Sequence, residues 1–164
     1  MMINTNDIST DFDNQSRVWV YQLDRTLSAE ETETLTQALQ KFTAEWTSHN
    51  RALKAAGHVH FGRFVVLMVD ETLAGASGCS IDSSVHFLQN VGQQLKVNMF
   101  DRTTVAYWQH DQLAFCSLNQ LTTAYKQQQV LDSTVVFNNL VQTKEQLLTQ
   151  WQTPLAESWH KRFI

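Results

Sequence analysis

The feature that most constrains the fold of this chain is a run of six apolar residues at positions 64–69 (FVVLMV). Together with the partly polar sequence before it, the run predicts one long strand over residues 59–70. A strand at the surface of a sheet alternates apolar and polar side chains, but this run has no polar face. We therefore expect a central strand that is covered on both sides, which is typical of an α/β fold.

The residues before this strand predict a first strand followed by a helix. Residues 17–23 alternate and are rich in β-forming side chains. Ser28 and Glu31 form the capping-box pattern of a helix N-terminus, and apolar residues at helical spacing continue to about position 49. Gly57 is expected to end any further extension of this helix.

The residues after the central strand predict the remaining elements. In chain order these are a helix over 81–95, a β-hairpin over 103–116, a helix over 118–129, a strand over 134–137, and a helix from 143 that Pro154 restarts. The predicted fold class is α/β, in the order β-α-β-α-β-β-α-β-α, with helices packed on one mixed sheet. We expect residues 17–164 to form a single domain and the polar residues 1–16 to be a loose tail.

The charge of the chain argues against nucleic-acid and membrane partners. Its 12 Lys and Arg and 16 Asp and Glu give a net charge of −4, and the basic residues form no cluster. No apolar run approaches the ~20 residues that span a bilayer, and the first residues lack the basic and apolar regions of a secretory signal. Two cysteines are too few for a disulfide framework, so we expect a cytoplasmic protein.

Small residues between the central strand and the next helix predict a functional site at 75–82 (GASGCSID). The backbone N–H groups of a helix N-terminus stabilise negative charge. This would place Cys79 where a thiolate is favoured, and Gly78, Ser80 and Asp82 beside a bound ligand or anion. The alternative is that Ser80 or Asp82 caps the helix and that Cys79 packs beneath a turn.

A second candidate segment, Asn138 and Asn139, follows the last predicted strand. Ligands of open α/β sheets gather beyond the carboxyl ends of parallel strands. If the strands that end at Asp70 and Phe137 are parallel neighbours, Asp70 and both asparagines would share a cleft with Cys79. The alternative is that asparagine occurs here because it tolerates turn conformations.

The sequence predicts no metal site and indicates no particular cofactor. His58 and His60 would lie on one face of an extended segment, but no third ligand follows at a defined spacing. The leading hypothesis is a small-molecule or anion-binding domain with a reactive thiol at Cys79. The competing hypothesis is a non-catalytic module that binds a protein, or itself, through an apolar or aromatic surface near the predicted hairpin, with Trp108 as a contact residue.

Three stretches resemble a family of short, largely uncharacterised bacterial proteins: residues 74–82 (AGASGCSID), 136–141 (VFNNLV) and 158–160 (SWH). The similarity extends from about Val18 to the last residue. Members of that family are sometimes labelled ABC transporter ATPases. This chain has no G-x-x-x-x-G-K-[ST] phosphate loop, so its residues do not support ATP hydrolysis.

Overall fold

The computed structural model of the protein describes residues 8–164, and these form an α/β fold, as predicted. In chain order the elements are β1 (Arg17–Gln22), α1 (Ala29–Glu45), β2 (Thr47–Ser48), β3 (Arg51–Ala52), β4 (Lys54–His60), β5 (Phe64–Asp70), α2 (Gly78–Leu95), β6 (Thr104–Gln109), β7 (Gln112–Ser117), α3 (Leu118–Lys126), β8 (Val135–Phe137), α4 (Lys144–Gln150) and β9 (Gln152–Pro154). Two 3₁₀ helices, Leu155–Glu157 and Trp159–Phe163, end the chain.

The strands form three separate sheets rather than one mixed sheet. A central sheet has the order β1-β5-β4, a C-terminal sheet has the order β7-β6-β8-β9, and β2 pairs with β3. Every strand pairing within residues 8–164 is antiparallel, which corrects the expected mixture of directions. For β4 and β5, and for β6 and β7, the physical reason is that the turns joining the two strands are too short for a parallel crossover.

The predicted strand over 59–70 is in fact the end of β4, a turn and all of β5. The chain reverses at Phe61 and Gly62, which both have positive φ, and Leu27 donates its N–H to the Gly62 carbonyl over 2.8 Å. Gly57 does not end a helix but lies within β4. A Cβ at Gly57 would come within 3.2 Å of the Leu39 side chain, so glycine allows α1 to pack closely on this strand.

Every residue of β5 is buried, which confirms a strand covered on both sides. Val65, Leu67 and Val69 join a core with α1 and α2. The alternate residues, Phe64, Val66 and Met68, join a second core with α4 and the C-terminal sheet. Because successive side chains of a strand point to opposite faces, β5 connects a helical layer on one side to a second sheet on the other.

Two predictions about helix boundaries are wrong: the end of the first helix and the restart of the last one at Pro154. The capping box of Ser28 and Glu31 is present, but α1 ends at Glu45 because the chain turns into the β2–β3 hairpin. Pro154 does not restart a helix. It ends β9, where Thr153 pairs with Val136 of the C-terminal sheet.

Residues 8–16 pack on the domain, in contrast to the loose tail that we expected. The side chain of Ile8 is only 4% exposed. The buried Lys144 ammonium donates to the carbonyls of Ser9 and Phe12 over 3.0 and 2.7 Å, and these bonds hold the segment in place. Residues 1–7 of the predicted tail lie outside the described residues. None of the described helices is long and apolar enough to cross a membrane.

Candidate ligand-binding site

A cavity of about 890 Å³ runs along β1, and we call it the β1 groove. All six residues of β1, 17–22, line it. Since successive side chains of a strand point to opposite faces, only a cavity along the strand's edge can contact all six. β1 is an edge strand of the central sheet, and the volume lies within the usual range of ligand pockets.

Three segments form the walls of the β1 groove: residues 100–105, residues 137–143, and Trp159 with His160 of the last 3₁₀ helix. The first two are attached to opposite ends of β1. Val18 donates its N–H to the Gln142 carbonyl over 3.0 Å, and Asp101 donates its N–H to the Gln22 carbonyl over 3.0 Å. Between these two attachments the walls stand away from β1, and this separation creates the groove.

A chain of side-chain hydrogen bonds fixes one end of the groove. The buried Gln22 amide donates to the Thr104 carbonyl over 2.8 Å and accepts from the Asn139 amide over 2.9 Å. Asn139 in turn accepts from the Trp151 indole N–H over 2.9 Å. Because every partner is hydrogen-bonded inside the protein, this network can hold Asn139 in one orientation at the wall.

The groove contains two guanidinium groups, those of Arg17 and Arg102. Neither makes a hydrogen bond or an ion pair with any residue in the range 8–164, although the Arg17 guanidinium lies 4.9 Å from the Trp19 ring centroid. Arg17 begins β1, whereas Arg102 follows the residue that bonds to the end of β1. The two positive charges therefore lie toward opposite ends of the groove.

The two carboxylates that line the groove are already hydrogen-bonded. Glu71 accepts from the Ala76 N–H over 3.0 Å. Asp101 accepts from the N–H groups of Thr103 and Thr104. Partial burial raises the pKa of Asp101, but the hydrogen bonds from these threonines outweigh it and hold the pKa below its ordinary value.

Aromatic and aliphatic side chains supply the remaining surface of the groove. Tyr21 and Phe100 meet edge to face with ring centroids 5.5 Å apart. Burial raises the pKa of Tyr21, so its phenol is neutral at pH 7. On the opposite wall Leu140 is 66% exposed, so its apolar side chain is accessible to a ligand.

His160 and Trp159 close the groove near the C-terminus. Their rings stack with centroids 3.8 Å apart, and the Ser158 hydroxyl lies in hydrogen-bond contact with His160 Nδ1. Burial lowers the pKa of His160 to about 4, so the ring is neutral at pH 7. The Trp159 indole N–H is buried and has no acceptor among residues 8–164.

The loop predicted as the site, 75–82, forms a helix cap outside the groove. Ser77, rather than Ser80 or Asp82, is the N-cap of α2, and Ser77 and Ser80 each bond to the other's backbone N–H. Two of the N–H groups that an anion would have used are therefore already bonded to protein. Gly78 and the Cys79 thiol are exposed, and the thiol makes no hydrogen bond within the described part of the chain.

The other predicted residues are separated by the sheet arrangement. β5, which ends at Asp70, and β8, which precedes Asn138, belong to different sheets, so the parallel neighbours that the shared cleft required do not occur. Asp70 is buried and accepts from the N–H of Asp13 and from Thr72. Asn138 accepts from the Leu140 N–H in a turn. Of the predicted site residues, only Asn139 lines the β1 groove.

Trp108, the expected aromatic contact residue, is half-buried and packs against the second core. Its indole N–H donates to the Gln152 side chain over 2.7 Å, and its ring packs against Phe61 and Phe137. Among residues 8–164 no group of three or more His, Cys, Asp or Glu side chains is arranged to hold a metal ion.

Nothing in the sequence singles out the groove residues Arg17 and Arg102. Each is an isolated basic residue, as an ordinary solvent-facing charge is, and no motif or spacing connects them. The two arginines line the same groove only because the 100–105 segment attaches to the end of β1 in the folded protein. No protein-family model, curated protein or solved structure matches this chain.

Proposed function

We propose that this protein is a binding domain, that the β1 groove is its ligand site, and that the ligand is an elongated molecule with a negatively charged group. The observation that carries this proposal is the pair of unpaired guanidiniums, Arg17 and Arg102, on the walls of one cavity. This keeps the expected small-molecule or anion-binding role but moves the site from the 75–82 loop to the edge of β1.

The charges of the groove favour an anion even though the whole chain is negative. Each guanidinium has one carboxylate toward its own end of the groove, Glu71 or Asp101, but both carboxylates already accept hydrogen bonds from backbone N–H groups. A carboxylate or phosphate can accept two parallel hydrogen bonds from one planar guanidinium. The apolar body of such a ligand would contact Tyr21, Phe100 and Leu140.

The experiment uses 2-naphthoate, a carboxylate on an aromatic body, and its uncharged analogue 2-naphthamide. Binding is followed by changes in backbone NMR resonances. We expect 2-naphthoate to shift the resonances of residues in the groove and to bind more tightly than 2-naphthamide. Because its single carboxylate can meet only one of the two guanidiniums at a time, either Arg17→Gln or Arg102→Gln should weaken 2-naphthoate about two- to fivefold, the effect of an exposed ion pair, and neither variant should change the affinity for 2-naphthamide.

Arg51→Gln is the matched control, because Arg51 is an exposed arginine of β3 that does not line the groove. It should leave the affinity for 2-naphthoate unaltered. If 2-naphthoate shifts no groove resonance at millimolar concentration, or if neither Arg17→Gln nor Arg102→Gln weakens it more than Arg51→Gln does, the proposed site is wrong.

Other roles remain proposals beside this one. The exposure of Cys79 is compatible with a reactive thiol there, and exposed leucines such as Leu131 and Leu148 are compatible with self-association. Membership of the bacterial family that residues 74–82 resemble, and a cytoplasmic location, are also proposals.

A further inference from the structure

We infer that the ligand of the β1 groove is an extended peptide segment of a partner protein, which pairs with β1 as an added strand. This inference rests on the proposed binding function and names its ligand. It follows from the main-chain groups of β1, whose hydrogen bonds alternate in direction along the strand.

In an antiparallel pair, residues whose N–H and C=O groups face the partner alternate with residues whose groups face away. The even-numbered residues here bond to segments other than β5: the Ser16 and Gln22 carbonyls accept from Lys144 and Asp101, and the Val18 and Asp24 N–H groups donate to Gln142 and Asn98. The even-numbered main-chain groups therefore face the outer edge of β1.

Between the two attached ends, the outer edge of β1 is unpaired. The carbonyls of Val18 and Val20 and the N–H groups of Val20 and Gln22 point to this edge, and none of them has a hydrogen-bond partner within residues 8–164. At a rise of about 3.3 Å per residue, the stretch from Val18 to Gln22 is about 13 Å long. It offers two donors and two acceptors in the order that a strand of four or five residues would use.

The walls of the groove suit the side chains of such a strand, which point alternately to its two faces. One face would meet Trp19, Tyr21 and Phe100, which belong to the core beneath the helices. The other face would meet Phe137 and Leu140 on the side of the C-terminal sheet. A small rigid ligand would use one of these walls, whereas an extended peptide with apolar side chains uses both.

The charges complete the description of the peptide. Arg17 and Arg102 lie toward opposite ends of the open stretch, so acidic residues are expected at both ends of the bound segment. The expected ligand is therefore an extended segment with alternating apolar residues flanked by acidic ones. Exposed strand edges bind peptides in this way because main-chain bonds supply affinity and side-chain pockets supply specificity.

The probe is a phage-displayed library of random dodecapeptides, selected on the folded protein and then synthesised in blocked form. Each synthetic peptide is N-methylated at one residue at a time, which removes one N–H without changing a side chain. Because only alternate N–H groups of an added strand face β1, we expect every second methylation to weaken binding about tenfold or more and the others to have little effect.

The complementary variant is Val20→Pro, which removes the outward N–H and spares the hydrogen bonds between β1 and β5. It should weaken the peptides about tenfold or more, whereas Val20→Ala, which removes most of the side chain but keeps the N–H, should weaken them at least about threefold less than Val20→Pro does. Thermal unfolding checks that both variants fold. If Val20→Pro does not fold, the methylation pattern alone decides the question.

Two outcomes would overturn strand addition. In the first, peptides shift groove resonances but their loss of affinity does not alternate with the position of the methyl group. This would mean that side chains alone are recognised, and the groove would remain the ligand site. Failure to select any peptide that shifts groove resonances would also overturn the inference. In that case the 2-naphthoate experiment tests the proposed function separately. If 2-naphthoate binds in the groove, the proposed ligand site stands without the peptide. If it does not bind, both the ligand site and the peptide inference are wrong.

Discussion

The Asn139 side-chain amide donates to Gln22 Oε1 over 2.9 Å, and so joins the segment after β8 to the last residue of β1, 117 positions away in the chain. The same Asn139 accepts from the Trp151 indole. One asparagine therefore connects the central sheet to the C-terminal sheet at the wall of the β1 groove.

Replacement of Asn139 by alanine is expected to destabilise the protein. The replacement leaves the Trp151 indole N–H and the side-chain oxygen of Gln22, Oε1, without their present partners. Buried unsatisfied groups of this kind cost about 1–3 kcal/mol each. Urea denaturation should show a free energy of unfolding lower by at least about 2 kcal/mol. Asn90→Ala, at an exposed position of α2, should change it by less than about 0.5 kcal/mol, and equal losses in the two variants would contradict this role.

Hydrogen exchange in the free protein should reveal the open edge of β1. The N–H groups of Trp19 and Tyr21 face β5, whereas that of Val20 faces the groove. We expect the Val20 amide to exchange at least about tenfold faster than the amides on either side of it. The measurement is residue-resolved exchange by NMR, and equal protection of all three amides would show that the edge is covered.

The stability of the protein should fall on acidification because of His160. Burial lowers the pKa of this ring from 6.5 to about 4, so between these values the unfolded chain binds a proton that the folded protein does not. The free energy of unfolding therefore decreases as the pH falls through this range, by about 2 kcal/mol between pH 7 and pH 5.

The control for this pH dependence is His160→Gln, which removes the titrating ring. Denaturation at pH 7 and pH 5 should show a smaller difference in the variant than in the wild-type protein, whatever the variant's absolute stability. An unchanged difference would mean that other groups, among them the hydrogen-bonded Asp70 and Asp101, cause the acid sensitivity.

The two cysteines should differ in their rates of alkylation. Cys79 is exposed at the start of α2, whereas Cys116 is half-buried in β7 and burial raises the pKa of its thiol. We expect iodoacetamide to modify Cys79 about tenfold faster or more at pH 8. Mass spectrometry of Cys79→Ser and Cys116→Ser separates the two sites. A faster reaction at Cys116 would contradict the burial described for β7.

Several local features of the fold could be predicted because neighbouring residues determine them. Ser28 and Glu31 form their capping box through groups three residues apart, and the apolar run of β5 is buried on both sides. The hairpin of β6 and β7 forms around His110 and Asp111, at the predicted polar turn. These features need no knowledge of distant residues.

Local patterns were a poor guide where two structures were compatible with the same residues. The extended sequence around Phe61 and Gly62 fits one long strand or two strands with a turn, and the fold has the turn. Pro154 fits the first turn of a helix or an edge strand, and the pairing of β9 with β8 selects the strand. In each case contacts with another element decide between the alternatives.

By itself, then, the sequence determined the α/β class, a buried central strand and most of the helix starts, because these follow from hydrogen bonds and burial within short segments. Only the tertiary structure decided where a ligand could bind. Arg17, Arg102 and Asn139 come from three distant segments, and they line one groove because both walls attach to the ends of β1 and leave its middle unpaired. Whether a strand edge is left unpaired depends on which distant segments pack against it, and no pattern within β1 itself predicts this.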